Sequence, residues 1–190
     1  NLAAGDLATA NYPLATSIVL GDIAISGQVT ATKATVFTSG FDGTLGSLNL
    51  STTTTAVVRL AATKISGTVT LTNSGAGSEG HFAKLTTIQS GGVLVNPAKT
   101  IDMSALATAS GTLTIAGTTA ASFPALANQA AAGTITAAAA LSFTAPKLVP
   151  AAAISTVGTA TFSLKSLSTA QVAFLTASQT MTGLTTAGQT

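Results

Sequence analysis

The sequence predicts an all-β chain wound as a repeat β-solenoid, a parallel β-helix with coils of about 20–22 residues. Three observations lead there. A short phrase alternating apolar residues with Thr returns at a near-constant interval, and a second phrase keeps step with it. Small side chains dominate the composition: 38 Ala, 36 Thr, 18 Ser and 18 Gly among 190 residues.

The first phrase is clearest at Gly111-Thr112-Leu113-Thr114-Ile115, which returns as Gly133-Thr134-Ile135-Thr136-Ala137 and has an earlier copy in Gly67-Thr68-Val69-Thr70-Leu71. Looser copies place the leading apolar residue at Val29, Leu48, Val93 and Val157. Alternation at period 2 marks a strand with one buried face. Thr, being β-branched, suits the other face. The preceding Gly permits a tight corner.

The second phrase reads Phe123-Pro124-Ala125-Leu126 and then Ala145-Pro146-Lys147-Leu148. Related segments are Val57-Val58-Arg59-Leu60, Phe82-Ala83-Lys84-Leu85, Met103-Ser104-Ala105-Leu106 and Leu164-Lys165-Ser166-Leu167. A single coil cannot bury its apolar residues, so each must be covered by its neighbours. The expected core is Leu60, Val69, Leu71, Leu85, Leu106, Leu113, Ile115, Phe123, Leu126, Ile135 and Leu148, with Leu113 and Ile135 on adjacent coils. The Ala runs at 130–132 and 137–140 are expected at corners; helix is the competing reading, because Ala is the best helix former.

A strand phrase, a loop and a Phe-Pro-x-Leu phrase recurring over residues 20 to 185 resemble the leucine-rich-repeat-like solenoids of cell-surface proteins. The pattern is similar to the receptor L domain of growth-factor receptors and fungal wall proteins, and to bacterial surface leucine-rich repeats. The resemblance implies a leucine-rich-repeat-like coil as the alternative to a parallel β-helix, and it bears on the fold alone. Residues 1–20 fall outside the repeat and are expected to form an N-terminal arm or cap, leaving 21–190 as one solenoid domain. Within them, Ser17-Ile18-Val19-Leu20 reads as a short strand, able to cap its own chain or pair with another subunit.

Composition excludes several classes. Charged residues number 12, or 6% of the chain, and the mean hydropathy is +0.57, which excludes a charge-rich disordered chain. There is no Cys for a disulfide scaffold. The net charge of +2 comes from Lys and Arg scattered singly, so no nucleic-acid partner is expected. No run of about 18 apolar residues suggests a membrane-spanning helix. No signal peptide is visible and the chain starts at Asn1, as a processed, excised or incompletely identified chain would; an extracellular or cell-surface location is expected.

Candidate chemistry is sparse. Asp6, Asp22, Asp42, Glu79 and Asp102 are far apart in sequence. Asp22 and Asp42 lie one coil apart and are the pair considered for calcium, though such sites want six to eight oxygens. His81 follows Ser78-Glu79-Gly80 in a glycine-rich stretch that reads as a solvated loop rather than a triad. No catalytic, cofactor-binding or metal-ligating residue is expected, and no enzyme. Asn49-Leu50-Ser51 is a glycosylation sequon that requires an outward Asn49, and Thr52–Thr55 is a polar run open to O-glycans.

Three functions compete. A structural subunit of an extracellular homopolymer (a filament, sheath or surface layer) follows from the low charge and from open strand edges, with the chain itself as partner. A carbohydrate-binding or adhesive module would take surface glycans, but one Tyr and no Trp give few aromatic platforms. An ice-binding solenoid would use pairs such as Thr68/Thr70, Thr112/Thr114 and Thr134/Thr136, as known ice-binding solenoids do. Against it, coil spacings of 20 to 24 are expected to throw the Thr ladder out of register.

Overall fold

A computed structural model describes residues 7–140, 142–152, 154–156, 161–166 and 180–182. It is an all-β parallel solenoid of about seven turns, and no helix occurs among the described residues. Every strand pairing is parallel. Sheet A has eight strands: Leu7–Asn11, Ile25–Thr30, Leu48–Ser51, Thr68–Leu71, Val93–Asn96, Thr112–Ile115, Thr134–Ala137 and Ile154–Thr156. Sheet B stacks Ser17–Leu20, Val36–Ser39, Val57–Leu60, Glu79–His81 and Thr100–Asp102. Sheet C stacks five two-residue strands from Thr44–Leu45 to Asn128–Gln129. In later coils the place of sheet B is taken by sheet D: Ala120–Ser122, Ser142–Ala145, Thr161–Leu164 and Thr180–Thr182.

The core is a set of columns, one residue per coil. On sheet A, Leu48, Val69, Leu94, Leu113, Ile135 and Ile154 stack in register, all fully buried. Leu113 and Ile135 are direct neighbours, and every expected core residue is buried. A second column runs Val29, Leu50, Leu71. Val29 is therefore partnered by Leu50, not by Leu48 of the expected series. Leu94, not Val93, points inward on its strand; Val157 lies outside the described residues. Phe143 and Phe162 on sheet D, and Phe123 just past the end of its first strand, are stepped along the axis with ring centroids 5.4 and 6.1 Å apart. These are tilted aromatic contacts within the favourable range.

Corners follow from the second phrase. Leu85, Leu106, Leu126 and Leu148 each return a backbone N–H to the carbonyl three residues earlier, on Phe82, Met103, Phe123 and Ala145. Each closes a turn whose two middle residues face solvent or half face it, and Pro124 and Pro146 fit because their missing N–H is not needed there. Val57–Leu60 departs from this reading: it is a strand of sheet B and precedes the corner. The Ala runs do sit at turns, at 131–132 and 138–139. Where the chain enters sheet A, glycines stack: a Cβ on Gly67 would collide with the Gly46 carbonyl, and one on Gly111 with that of Gly92.

Unequal coil length is absorbed outside the sheets. The step from Val69 to its partner Leu94 is the longest, and its surplus is the loop at 74–77. Asn73, fully buried, ties that loop down by donating to Ala56 O at 3.0 Å and Glu79 O at 2.7 Å.

Candidate functional site

The outer face of sheet B gathers charged groups that are remote in sequence. Thr38, Arg59, His81 and Asp102 occupy successive rungs of one column. Val36, Val57, Glu79 and Thr100 form the column beside it. Glu79 Oε2 lies 3.1 Å from the Arg59 guanidinium and 2.8 Å from His81 Nε2. The expected solvated loop is thus corrected: Glu79–His81 is a half-buried strand, and of the glycine-rich stretch only 75–78 lie in the loop. Glycine misled the reading. Gly80 points inward in the column of Phe37 and Val58, and Asn96 fills the space a side chain would take, donating from Nδ2 to Gly80 O at 3.1 Å.

Ser78, just before this strand, is turned inward, and His81 outward. Ser78 is fully buried and its Oγ accepts from the Lys99 N–H at 3.1 Å, whereas His81 lies on the outer face. The three residues weighed as a triad do not assemble into one. Asp102 accepts from the Ser104 N–H at 3.0 Å. That bond, then one from the Ser104 hydroxyl, and a smaller attraction to His81 hold its carboxyl below the ordinary carboxylate value, against a modest opposing effect of burial. Arg59, His81, Lys84 and Asp102 line a shallow pocket of about 400 Å³ together with Leu60 and Ala61. Its lining carries two cations, Arg59 and Lys84, against one carboxylate, Asp102, and Glu79 beside it pairs with Arg59.

Asp22 and Asp42 are both exposed, and no group of three or more His, Asp or Glu among the described residues is arranged to hold a metal ion. Asn49 is exposed on the outer face of sheet A, the orientation its sequon needs. No described helix is long and apolar enough to cross a membrane.

Sheet A presents a different surface. None of its eight strands contains Asp, Glu, Lys, Arg, His or an aromatic residue. One outward row runs Thr68, Val93, Thr112, Thr134; the next runs Thr70, Val95, Thr114, Thr136, Ser155. The expected slippage of the Thr ladder does not occur, because unequal coils differ in their loops and corners.

Residues 7–20 form the first described coil in cis. Leu7–Asn11 pairs with Ile25–Thr30, and Ser17–Leu20 pairs with Val36–Ser39. Among the described residues these two strands pair on one side only, as do Ile154–Thr156 and Thr180–Thr182 toward the other end. Leu14 and Val19, 78% and 74% exposed, are the two most exposed large apolar residues described, and both lie on this first coil.

Comparison with known proteins finds no matching family model, no similar curated protein and no similar solved structure. The parallel solenoid is what the structure shows of that expectation; no comparison supports the resemblance to leucine-rich-repeat-like proteins.

Proposed function

We propose that the protein is a non-catalytic structural subunit of an extracellular homopolymer, built by end-to-end stacking of coils. The observation that carries this reading is the first described coil: among the described residues its strand Ser17–Leu20 pairs with Val36–Ser39 alone, and the coil bears the exposed Leu14 and Val19. Parallel strands at both ends have the same polarity, so the last coil of one copy can continue into the first coil of the next. Such a contact is heterologous and does not close, which generates a filament rather than a dimer. Open strand edges in general invite pairing with another chain. Only 12 charged residues provide repulsion between copies, far below the 25–35% charged surface that keeps small domains apart. A setting at the cell surface is part of this proposal; a chain without Cys needs no particular redox compartment.

Electron microscopy of the purified full chain tests the reading. Filaments one solenoid wide are expected. A field of uniform single particles at high concentration overturns it. The shallow pocket on sheet B keeps glycan adhesion as the second reading: Arg59, His81, Lys84 and Asp102 around it offer hydrogen bonds to sugar hydroxyls.

A further inference from the structure

We infer that the outer face of sheet A binds ice. The inference is independent of filament formation, since the face lies along the solenoid and not at its ends. Four successive coils carry Thr68/Thr70, Val93/Val95, Thr112/Thr114 and Thr134/Thr136, aligned rung for rung. Neighbouring rungs are separated by about 4.8 Å, and the two residues on each rung by about 6.6 Å. The result is a two-dimensional lattice of methyl groups, with hydroxyls at the Thr positions. The repeat in both directions is close to that of oxygen atoms on the faces of hexagonal ice.

The lattice is stiff. Thr and Val are β-branched and restricted at χ1. Beneath them Val69, Leu94, Leu113 and Ile135 are fully buried and stacked on one another. No register shift interrupts sheet A between Gln28 and Thr156; the single irregularity lies at Leu7/Thr9, outside the array.

Other occupants fit less well. The face bears no charge, so it offers nothing to an ionic partner, and no aromatic ring on which a sugar could stack. Eight strands four residues wide cover roughly 450 Å², against about 800 Å² per partner in a stable protein pair. Crystalline water requires neither charge nor a large contact in one step. It needs a flat repeat in which methyls cage water and hydroxyls join its hydrogen-bond network.

The test is thermal hysteresis and ice-crystal shaping by the full chain, produced without glycosylation so that Asn49 is bare. The wild-type chain is expected to shape ice and lower its growth temperature. Thr114→Tyr, in the middle of the array, is expected to lose most of that activity, while Thr87→Tyr on sheet C keeps it. Thr136→Tyr serves as the array variant if circular dichroism shows that Thr114→Tyr has not folded. Absence of ice shaping by the wild-type chain overturns the inference, as does equal activity in array and control variants. If Thr114→Tyr alters sedimentation and leaves hysteresis intact, the face is a contact between copies and the inference is wrong. Failure of the chain to form filaments leaves these outcomes unchanged and bears only on the proposed assembly.

Discussion

Asn96 stands in for the side chain that Gly80 lacks. Its amide lies where a Gly80 Cβ would point, and Nδ2 donates to the Gly80 carbonyl at 3.1 Å. Asn96 also accepts from the Ala98 N–H at 3.3 Å, so one buried amide links strands of sheets A and B across the core. Gly80→Ala forces the amide aside and is expected to cost about 1–3 kcal/mol, the usual range for overpacking. Asn96→Ala strands a buried carbonyl at a similar cost. Because the two changes share one contact, the double variant should be less destabilised than the sum. Urea denaturation of the four proteins checks this; strict additivity would contradict it.

The phenylalanine steps form the next test. Phe143 sits between Phe123 and Phe162 and is fully buried. Phe143→Ala is expected to destabilise by about 3–5 kcal/mol. Phe143→Leu should cost far less. Thermal unfolding of both variants measures the difference.

The glycine corner is expected to be intolerant of any side chain. A Cβ at Gly111 meets the carbonyls of Gly92 and Gln89, which are backbone and cannot swing away. Gly111→Ala should lower the melting temperature markedly, whereas Gly46→Ala, with open space around its Cβ position, should be near neutral.

On the outer face of sheet B the expected effects are small. Glu79 joins Arg59 and His81, but Arg59 is half exposed, and such pairs contribute about 1 kcal/mol or less. Glu79→Ala should therefore shift stability only slightly. Asp102 has its carboxyl held below the ordinary value, so its stabilising contribution is present above the unfolded pKa of about 3.9 and lost as pH falls through the lower folded value. Asp102→Asn should remove that contribution, making the variant's stability less sensitive to falling pH below about 4 than the wild type. Melting temperatures of both proteins across that range check the sign.

Much of this architecture is legible in the residues. Leu113 and Ile135 could be placed on adjacent coils because Thr-x-Thr brackets a single apolar residue and leaves one choice of inward side. Val93-Leu94-Val95 has no such bracket: all three are apolar, and only pairing of Leu94 with Val69 decides which faces the core. The sheet B cluster was hidden for another reason. Arg59, His81 and Asp102 lie 22 and 21 positions apart, and only coil stacking makes them neighbours. Gly75, Gly77 and Gly80 together suggest a loop, yet Gly80 is a strand residue whose partner, Asn96, lies 16 positions away. Pairing of residues 7–20 with the following coil was one of two outcomes open at the sequence level, and hydrophobic patterning in Ile18-Val19-Leu20 does not distinguish its own chain from a second copy.

Sedimentation velocity of the full chain over a wide concentration range tests the proposed assembly most directly. Head-to-tail stacking predicts a distribution that shifts steadily to larger species as concentration rises, without stopping at a dimer, and species whose friction indicates elongation. A single sedimenting species of 18.4 kDa at every concentration would contradict it.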